Sequence, residues 1–307
     1  LAPTLVEGAP TLAQVLRRDW FYFVPIAVLV WGVLKLDRPV FAGAIACLAL
    51  IPMGLNRNRS PRAFVASIVA GLNNGMGQLV GVGIASAVAG LVVGTLSMAD
   101  LTGKISSGMF TLAGGSYALT LLVATVVIIL LGMGMPTPAV YALAAVLAAP
   151  ALLALKIELL PAHLFIVYFA SLSAITPPVA VAAFAAASIA RANTIAVAFL
   201  ACRVGIVAFV LPLVFVNQPG VLLIGDATTV VTTIAFVLMG AMCLVIAFEG
   251  WLFGLVATPM RAALFVLAVA LLAQTGVARW VAAAAFLALV AWRYRRRRPA
   301  SPGPAPA

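Results

Sequence analysis

The chain has 307 residues, of which 65% are hydrophobic and only 8% are charged, and its mean hydropathy is +1.23. This composition excludes a soluble globular protein, because too few polar residues remain to cover a water-exposed surface. Apolar runs of about 20 residues recur along the sequence and are continuous rather than alternating, which favours membrane helices over a β-barrel. We therefore predict an all-α polytopic membrane protein.

The net charge of +11 comes largely from arginines at the ends of apolar segments and in the run 293–298. This is the positive-inside pattern of membrane proteins, and it favours contact with membrane lipid, with no nucleic acid partner. The three cysteines, Cys47, Cys202 and Cys243, lie in apolar runs without metal-ligand spacing. We expect them to be buried small hydrophobic residues.

Two apolar runs open the chain, at residues 20–36 and 40–55, and a short charged loop separates them. They predict an N-terminal helical hairpin within residues 1–61. The next stretch, 61–78, is mixed in character and predicts an arm that lies along the membrane interface or braces the helices. The run 77–98 predicts a separate membrane span with ridges of small residues.

The longest apolar tract, residues 117–155, is interrupted at 132–138 by the sequence GMGMPTP. Two glycines weaken a helix here, and Pro136 and Pro138 each lack an amide donor. Two interpretations follow from these residues. The segment is either a helix break at membrane depth or a turn that joins two helices at the membrane surface.

A second interruption lies in SLSAITPPVAVAAFA, residues 171–185. Pro177 and Pro178 lack amide donors, and Pro177 also disfavours the α conformation of Thr176. The carbonyls of residues 173–176 are therefore expected to lose their helical donors. Irregular backbone at membrane depth occurs where it is buried in protein or lines a polar cavity, so this break is a candidate ion or substrate site.

The helical segments on either side of this break predict a re-entrant hairpin over residues 161–190, with a single kinked helix as the alternative. Charge supports the hairpin. If every break were a surface turn, the arginines of 293–298 would lie on the side opposite Arg57 and Arg59. One of the two breaks must then lie inside the membrane if both arginine clusters are cytoplasmic.

Groups for acid–base or nucleophilic catalysis are scarce, and the chain has a single histidine, His163. The HExxH, GxSxG and P-loop patterns are absent from the sequence. The acidic residues lie mostly at segment ends: Glu7, Asp19, Asp37, Asp100, Glu158, Asp226 and Glu249. We therefore predict that the chain is not an enzyme.

The two breaks offer oxygen ligands without fixed charge, which suit a hard cation such as sodium. One break supplies the hydroxyls of Ser171, Ser173 and Thr176, and the other supplies Thr137 with the carbonyls of residues 132–135. Ser173 and Thr176 are the candidate sodium ligands.

Arg203 lies well inside an apolar run. A charged residue at such a position is a candidate for binding a carboxylate substrate. The alternative is that its long side chain extends to the membrane surface.

Three stretches carry a family resemblance: LGMGMPTPAVYALAAVLAAPAL (131–152), AHLFIVYFASLSAITPPVAVAAFAAASIA (162–190) and LPLVFVNQPGVLL (211–223). In order and spacing they resemble the C-terminal part of the fused permease subunits of tripartite ATP-independent periplasmic (TRAP) transporters of the TAXI type. The resemblance covers about residues 62–223.

This resemblance implies an elevator-type secondary transporter in the bacterial inner membrane. Such a permease imports small organic anions from a periplasmic TAXI-type binding protein, driven by a sodium or proton gradient and without another cofactor. The family's site maps here onto Ser173, Thr176, Pro177 and Pro178, with Gly132, Gly134 and Thr137 as the neighbouring element. Ser171 and Arg203 complete our set of candidate site residues.

A complete permease has two inverted repeats, each with a hairpin, and only one hairpin of this type is evident. We therefore expect this chain to be half of an elevator transporter, with the N-terminal half upstream of Leu1. Its predicted regions are 1–61, a transport region at 62–224, C-terminal helices at 225–292, and a disordered basic and proline-rich tail at 293–307. The alternatives are an anion carrier that needs no binding protein and a non-catalytic accessory subunit.

Overall fold

The computed structural model describes residues 20–36, 38–57, 60–273 and 276–295. These residues form thirteen α-helices and contain no strand beyond an isolated bridge between Trp251 and Leu255. The all-α prediction is therefore confirmed. Our predictions for the first nineteen residues, for Arg59 and for the end of the basic tail lie outside the described residues.

The helices are α1 (Phe23–Leu36), α2 (Pro39–Arg57), α3 (Pro61–Met98), α4 (Leu101–Leu112), α5 (Tyr117–Gly132), α6 (Thr137–Ala154), α7 (Leu159–Leu172), α8 (Val181–Ala190), α9 (Thr194–Val204), α10 (Ile206–Phe215), α11 (Ala227–Glu249), α12 (Thr258–Leu272) and α13 (Gly276–Arg295). Two short 3₁₀ turns add to them, Trp20–Tyr22 and Pro219–Leu222.

The chain divides into two compact units, Leu1–Val80 and Gly81–Ala307. In the first unit α1 and α2 pack against each other. Helix α3 begins after Ser60, whose hydroxyl accepts a hydrogen bond from the amide of Ala63 at 3.2 Å, and it continues across the boundary between the units. The arm and the span that we predicted separately lie in one helix, which contains no proline after its first residue.

In the second unit, α7 packs against α5, α6 and α10. The apolar core between these helices contains fully buried side chains such as Ile128, Phe165, Phe169 and Phe215. Helices α11, α12 and α13 pack around a second core in the same compact unit. We predicted a boundary at residue 224 between the transport region and the C-terminal helices. Both sides of this boundary lie in one compact unit, so it stays a prediction from the sequence.

The sharply bent helix pair of this unit is α8 and α9, which meet at 117°. Arg191 turns the chain with a φ of +50°, and the Asn193 side chain caps α9 by accepting the amide of Ala196 at 3.0 Å. The two helices pack through alanines, among them Ala183 and Ala198. This pair lies one helix later than the hairpin that we predicted over residues 161–190.

By length and composition, four helices of the described residues could cross a membrane: α3, α6, α11 and α13. The count rises to five if the bent pair α8–α9 is one broken span. Other helices are apolar but shorter, α5 and α7 among them. These helices agree with a multi-pass membrane protein.

Candidate functional site

The second predicted break is present between α7 and α8. Helix α7 ends at Leu172, and α8 begins at Val181. The break contains Pro177 and Pro178, joined by a cis peptide bond, and it ends at Ala180, whose φ is +33°. Both prolines lack the amide that would continue the α-helical ladder, so the chain forms turns until α8 begins.

The four carbonyl oxygens of residues 173–176 each accept a hydrogen bond, although the first three lack the α-helical donor four residues later. In chain order, their donors are the amide of Thr176 at 3.3 Å, the amide of Ala182 at 2.9 Å, the thiol of Cys202 at 3.4 Å and the amide of Ala180 at 3.2 Å. Our expectation that these carbonyls lose their α-helical donors is confirmed for residues 173–175 and is wrong for Thr176, which accepts from the amide of Ala180. The break is a hydrogen-bonded structure in which turns and a neighbouring helix replace the missing donors.

The hydroxyls of the break also contact backbone carbonyls. The oxygen of Ser173 lies 2.7 Å from the carbonyl of Ala170 and 3.0 Å from that of Gly132, and this side chain is 3% exposed. Thr176 donates to the carbonyl of Leu172 at 2.7 Å. Each hydroxyl oxygen keeps lone pairs, so Ser173 and Thr176 combine donation to the backbone with the capacity to bind a cation.

Ser171 has a different environment. Its hydroxyl donates to the carbonyl of Val167 within the same helix at 2.9 Å, and the residue is exposed. Because that hydrogen bond stays within α7, Ser171 does not join the two breaks, although it lies only two residues from Ser173.

The first predicted break separates α5 from α6 and lies against the second. Gly132 ends α5 and is buried, and a Cβ atom added to it would come within 2.6 Å of the Cβ of Ser173. A side chain at this position therefore could not coexist with Ser173 in its present place. Gly134 has a φ of +81°, and a Cβ atom added to it would lie 3.8 Å from Cγ1 of Val179 in the other break.

Four helix ends consequently meet in one region. The C-terminal ends of α5 and α7 carry partial negative charge, and the N-terminal ends of α6 and α8 carry partial positive charge. Thr137 is half-buried at the start of α6, directly after Pro136. Broken helices arranged in this way offer carbonyls to a cation and amide groups to an anion.

Arg203 does not join this region through its side chain. Its guanidinium donates to the carbonyl of Phe248 at 2.8 Å and lies 3.5 Å from the carboxylate of Glu249, at the C-terminal end of α11. Arg261 donates to the same carbonyl at 2.8 Å. The carboxylate near Arg203 therefore belongs to the chain itself, and a function in binding substrate stays a prediction without support from these contacts.

Cys202 and the pair of Tyr141 and His163 make contacts that the sequence did not predict. We interpreted Cys202 as a buried small hydrophobic residue, but it is half-buried and its thiol contacts the carbonyl of Ile175. Tyr141 of α6 and His163 of α7 form a hydrogen bond of 2.9 Å that joins the helices flanking the two breaks. A lone histidine at the start of a helix was the available signal for this pair. Among the described residues, no three His, Cys, Asp or Glu side chains cluster as metal ligands.

Comparison with protein families decides the kind of protein. A family model described as "Tripartite ATP-independent periplasmic transporter, DctM component" matches residues 6–228. The chain belongs to this family. Neither the curated proteins nor the solved structures gave a significant match.

This TRAP transporter permease carries both breaks within the matched residues, whereas the match ends at the second residue of α11. Most of α11 and all of α12 and α13 therefore lie outside the region that the family model describes. Membership supports the transporter prediction, and the region where the breaks meet is the candidate site within the matched part.

Proposed function

We propose that this TRAP permease component imports a small organic anion across the bacterial inner membrane, coupled to a cation gradient. The anion is delivered by a periplasmic substrate-binding protein, of the TAXI type by resemblance, and a second permease half with its own hairpin completes the site. The observation that carries the proposal is the contact between Ser173 and Gly132, which brings two breaks of one membrane protein together.

Sodium is the coupling ion that the chemistry of these segments favours. Residues 131–138 and 171–180 contain hydroxyls and backbone carbonyls but no carboxylate or imidazole. Proton coupling through these segments would need a group that titrates near neutral pH, whereas sodium needs only oxygen ligands. We assign Ser173 and Thr176 as sodium ligands, and Thr137 with the N-terminal end of α6 as part of the anion-binding side.

The test is uptake by proteoliposomes that contain the complete permease and its binding protein, measured with sodium gradients of increasing size. Ser173→Ala and Thr176→Val should weaken the apparent sodium affinity by about 5-fold to 150-fold, the range of a lost buried polar contact of about 1–3 kcal/mol. Ser171→Ala is the matched control, because its hydroxyl bonds within α7 and is exposed; its sodium dependence should equal that of the unchanged protein.

Other outcomes lead to other conclusions. Uptake that needs no binding protein would identify a binding-protein-independent carrier. If Ser173→Ala and Thr176→Val show the same sodium dependence as the control Ser171→Ala, the assigned ligands are refuted. A complex in which this chain is dispensable for uptake would favour an accessory subunit.

A further inference from the structure

A buried polar network joins the C-terminal helices to the preceding segment, away from the two breaks. Gln218 is 2% exposed, and its side-chain amide donates to the carbonyl of Leu272 while its oxygen accepts from Arg279 at 2.7 Å. Arg279 also donates to the carbonyl of Leu271 at 3.1 Å, and its guanidinium carbon lies 4.3 Å above the ring of Phe236. These contacts hold the guanidinium in one position.

The positive charge of Arg279 is not balanced within the described part of the chain. Its contacts are with a neutral amide, a backbone carbonyl and an aromatic ring, and the ion pair found among the described residues is that of Arg203 with Glu249. The carboxylate of Asp226 accepts from the side chain and the amide of Thr229 at the start of α11 instead. A partly desolvated cation without a carboxylate partner favours binding of an anion.

A cavity of about 360 Å³ lies beside Arg279. Its wall includes Thr229, Thr232 and Thr233 of α11 on one side, and Arg279 and Trp280 of α13 on the other. We call it the Arg279 cavity. Its volume is at the lower end of the range that small-molecule sites occupy. Small polar side chains, an aromatic ring and a single fixed cation give it the composition of a site for one anionic group.

Helix ends add to the positive potential. The Arg279 cavity lies near the N-terminal turns of both α11, which begins at Ala227, and α13, which begins at Gly276. The N-terminal end of a helix carries partial positive charge, and the first turn of α13 contains no acidic residue, so α13 favours an anion in the cavity. At α11 the carboxylate of Asp226 already accepts from the amide of Thr229, so that helix end is partly neutralised. Nε and one N–H of Nη2 of Arg279 already donate within the chain, and the N–H groups that remain on Nη1 and Nη2 form a pair of donors that matches the oxygens of a phosphate or a carboxylate.

We propose that the Arg279 cavity binds an oxyanion, the phosphate of a phospholipid headgroup or a free phosphate or carboxylate. It is separate from the site where the two breaks meet, and its wall lies after residue 228, where the family match ends. Bound there, the anion would balance Arg279 and hold α11 and α13 to the segment that carries Gln218. Trp280, 63% exposed, lies at the mouth of the cavity and can report occupancy.

The experiment uses the full chain with the other tryptophans, Trp20, Trp31, Trp251 and Trp292, replaced by phenylalanine. In one arm the protein is reconstituted into vesicles of phosphatidylcholine with brominated phosphatidylglycerol or, separately, brominated phosphatidylcholine, and quenching of Trp280 is compared. In the other arm, vesicles of phosphatidylcholine alone are titrated with inorganic phosphate and with acetate. Stronger quenching by phosphatidylglycerol identifies a lipid headgroup, and a saturable change with phosphate or acetate identifies a soluble anion.

In the arm that detects binding, Arg279→Gln should weaken the apparent affinity for the anion at least about tenfold. Arg279→Lys keeps the charge but loses the paired donors, so it should weaken this affinity less. Arg191→Gln is the matched control for loss of one positive charge, because Arg191 is exposed at the turn between α8 and α9. It should leave both arms unchanged.

Thr232→Glu provides a second route that keeps Arg279, since a carboxylate introduced in the wall should compete with the bound anion. It decides the question if Arg279→Gln does not fold. The proposal is overturned if neither arm shows an effect, or if the effect persists in both Arg279→Gln and Thr232→Glu. An equal loss in Arg191→Gln would also overturn it, because the signal would then report bulk charge.

Discussion

The hydroxyl oxygen of Ser173 lies 3.0 Å from the carbonyl oxygen of Gly132, across 41 residues of sequence. This contact is possible because Gly132 has no side chain; a Cβ there would lie 2.6 Å from the Cβ of Ser173. Two helix breaks that are separate in the sequence are therefore one structural region. The arrangement explains why a glycine and a small hydroxyl residue occupy these two positions.

Gly132→Ala should push the two breaks apart. The added methyl group overlaps Ser173, and overpacking of this kind typically costs about 1–3 kcal/mol. We expect a lower free energy of unfolding in detergent and weaker sodium dependence of uptake. Gly108→Ala in α4 is the control, because a Cβ there meets nothing within 4 Å. If Gly132→Ala behaves like this control, the close approach has no energetic importance.

Ser173→Ala and Thr176→Val should differ in stability although both remove a hydroxyl. Ser173 is buried and contacts two carbonyls, so its loss should cost about 1–3 kcal/mol of unfolding free energy. The carbonyl that Thr176 contacts also accepts the amide of Ile175 at 3.0 Å, so Thr176→Val should cost less than about 1 kcal/mol. Equal costs in chemical denaturation would contradict the assigned hydrogen bonds.

Gln218→Leu should destabilise the packing of the C-terminal helices. The substitution removes a donor to the carbonyl of Leu272 and an acceptor for Arg279, which leaves a partly buried cation with one fewer partner. We expect a loss of about 2–3 kcal/mol in unfolding free energy, the range for hydrogen bonds to charged groups. Asn217→Ala, at the exposed neighbouring residue, removes a hydrogen bond to the carbonyl of Leu213 that involves no charged group, so it should cost less, about 0.5–1.5 kcal/mol. Unfolding in denaturant compares the two, and equal effects would exclude a special contribution of Gln218.

Arg203→Gln should leave substrate affinity unchanged. Arg203 and Glu249 are 48% and 42% exposed, and exposed ion pairs contribute about 0–1 kcal/mol. Arg261 continues to donate to the carbonyl of Phe248, so the end of α11 keeps a cap. Substrate titrations and a double-mutant cycle with Glu249→Gln measure the two effects separately. A large loss of substrate affinity would restore Arg203 to the binding site.

Asp226 should make the first turn of α11 sensitive to acid. Hydrogen bonds from the side chain and the amide of Thr229 lower the pKa of this exposed carboxyl below its ordinary value of 3.8. Because the folded pKa is depressed, the stabilising contribution is complete above pH 3.8 and is lost as the pH falls through the lower, folded value. Asp226→Asn still caps the helix but does not titrate. The protection factors of amides in this turn, which are corrected for the intrinsic exchange rate at each pH, should therefore fall at acidic pH in the unchanged protein more than in the variant.

Several features followed from the sequence because their causes are local. Low charge and high hydropathy predicted a helical membrane protein. Pro177 and Pro178 predicted a helix break, and this prediction did not depend on the packing of that helix in the fold. The end of α5 at Gly132 and the start of α6 at Thr137 followed in the same way. Proline and glycine act on the backbone of their own turn, so clusters of them indicate where helices stop. Single prolines did not end a helix, since α2, α6 and α10 continue through Pro52, Pro150 and Pro212.

The tertiary structure decided which of these segments meet. Ser173 contacts Gly132, Cys202 contacts Ile175, and Arg203 contacts the end of α11, and none of these partners lies nearby in the sequence. It also decided that α8 packs on α9, although the proline break suggested a pairing of α7 with α8. A hydrogen bond between distant residues exists only once packing has brought them within about 3 Å. The sequence by itself therefore indicated the two breaks, and the packing of the helices brought them into one region.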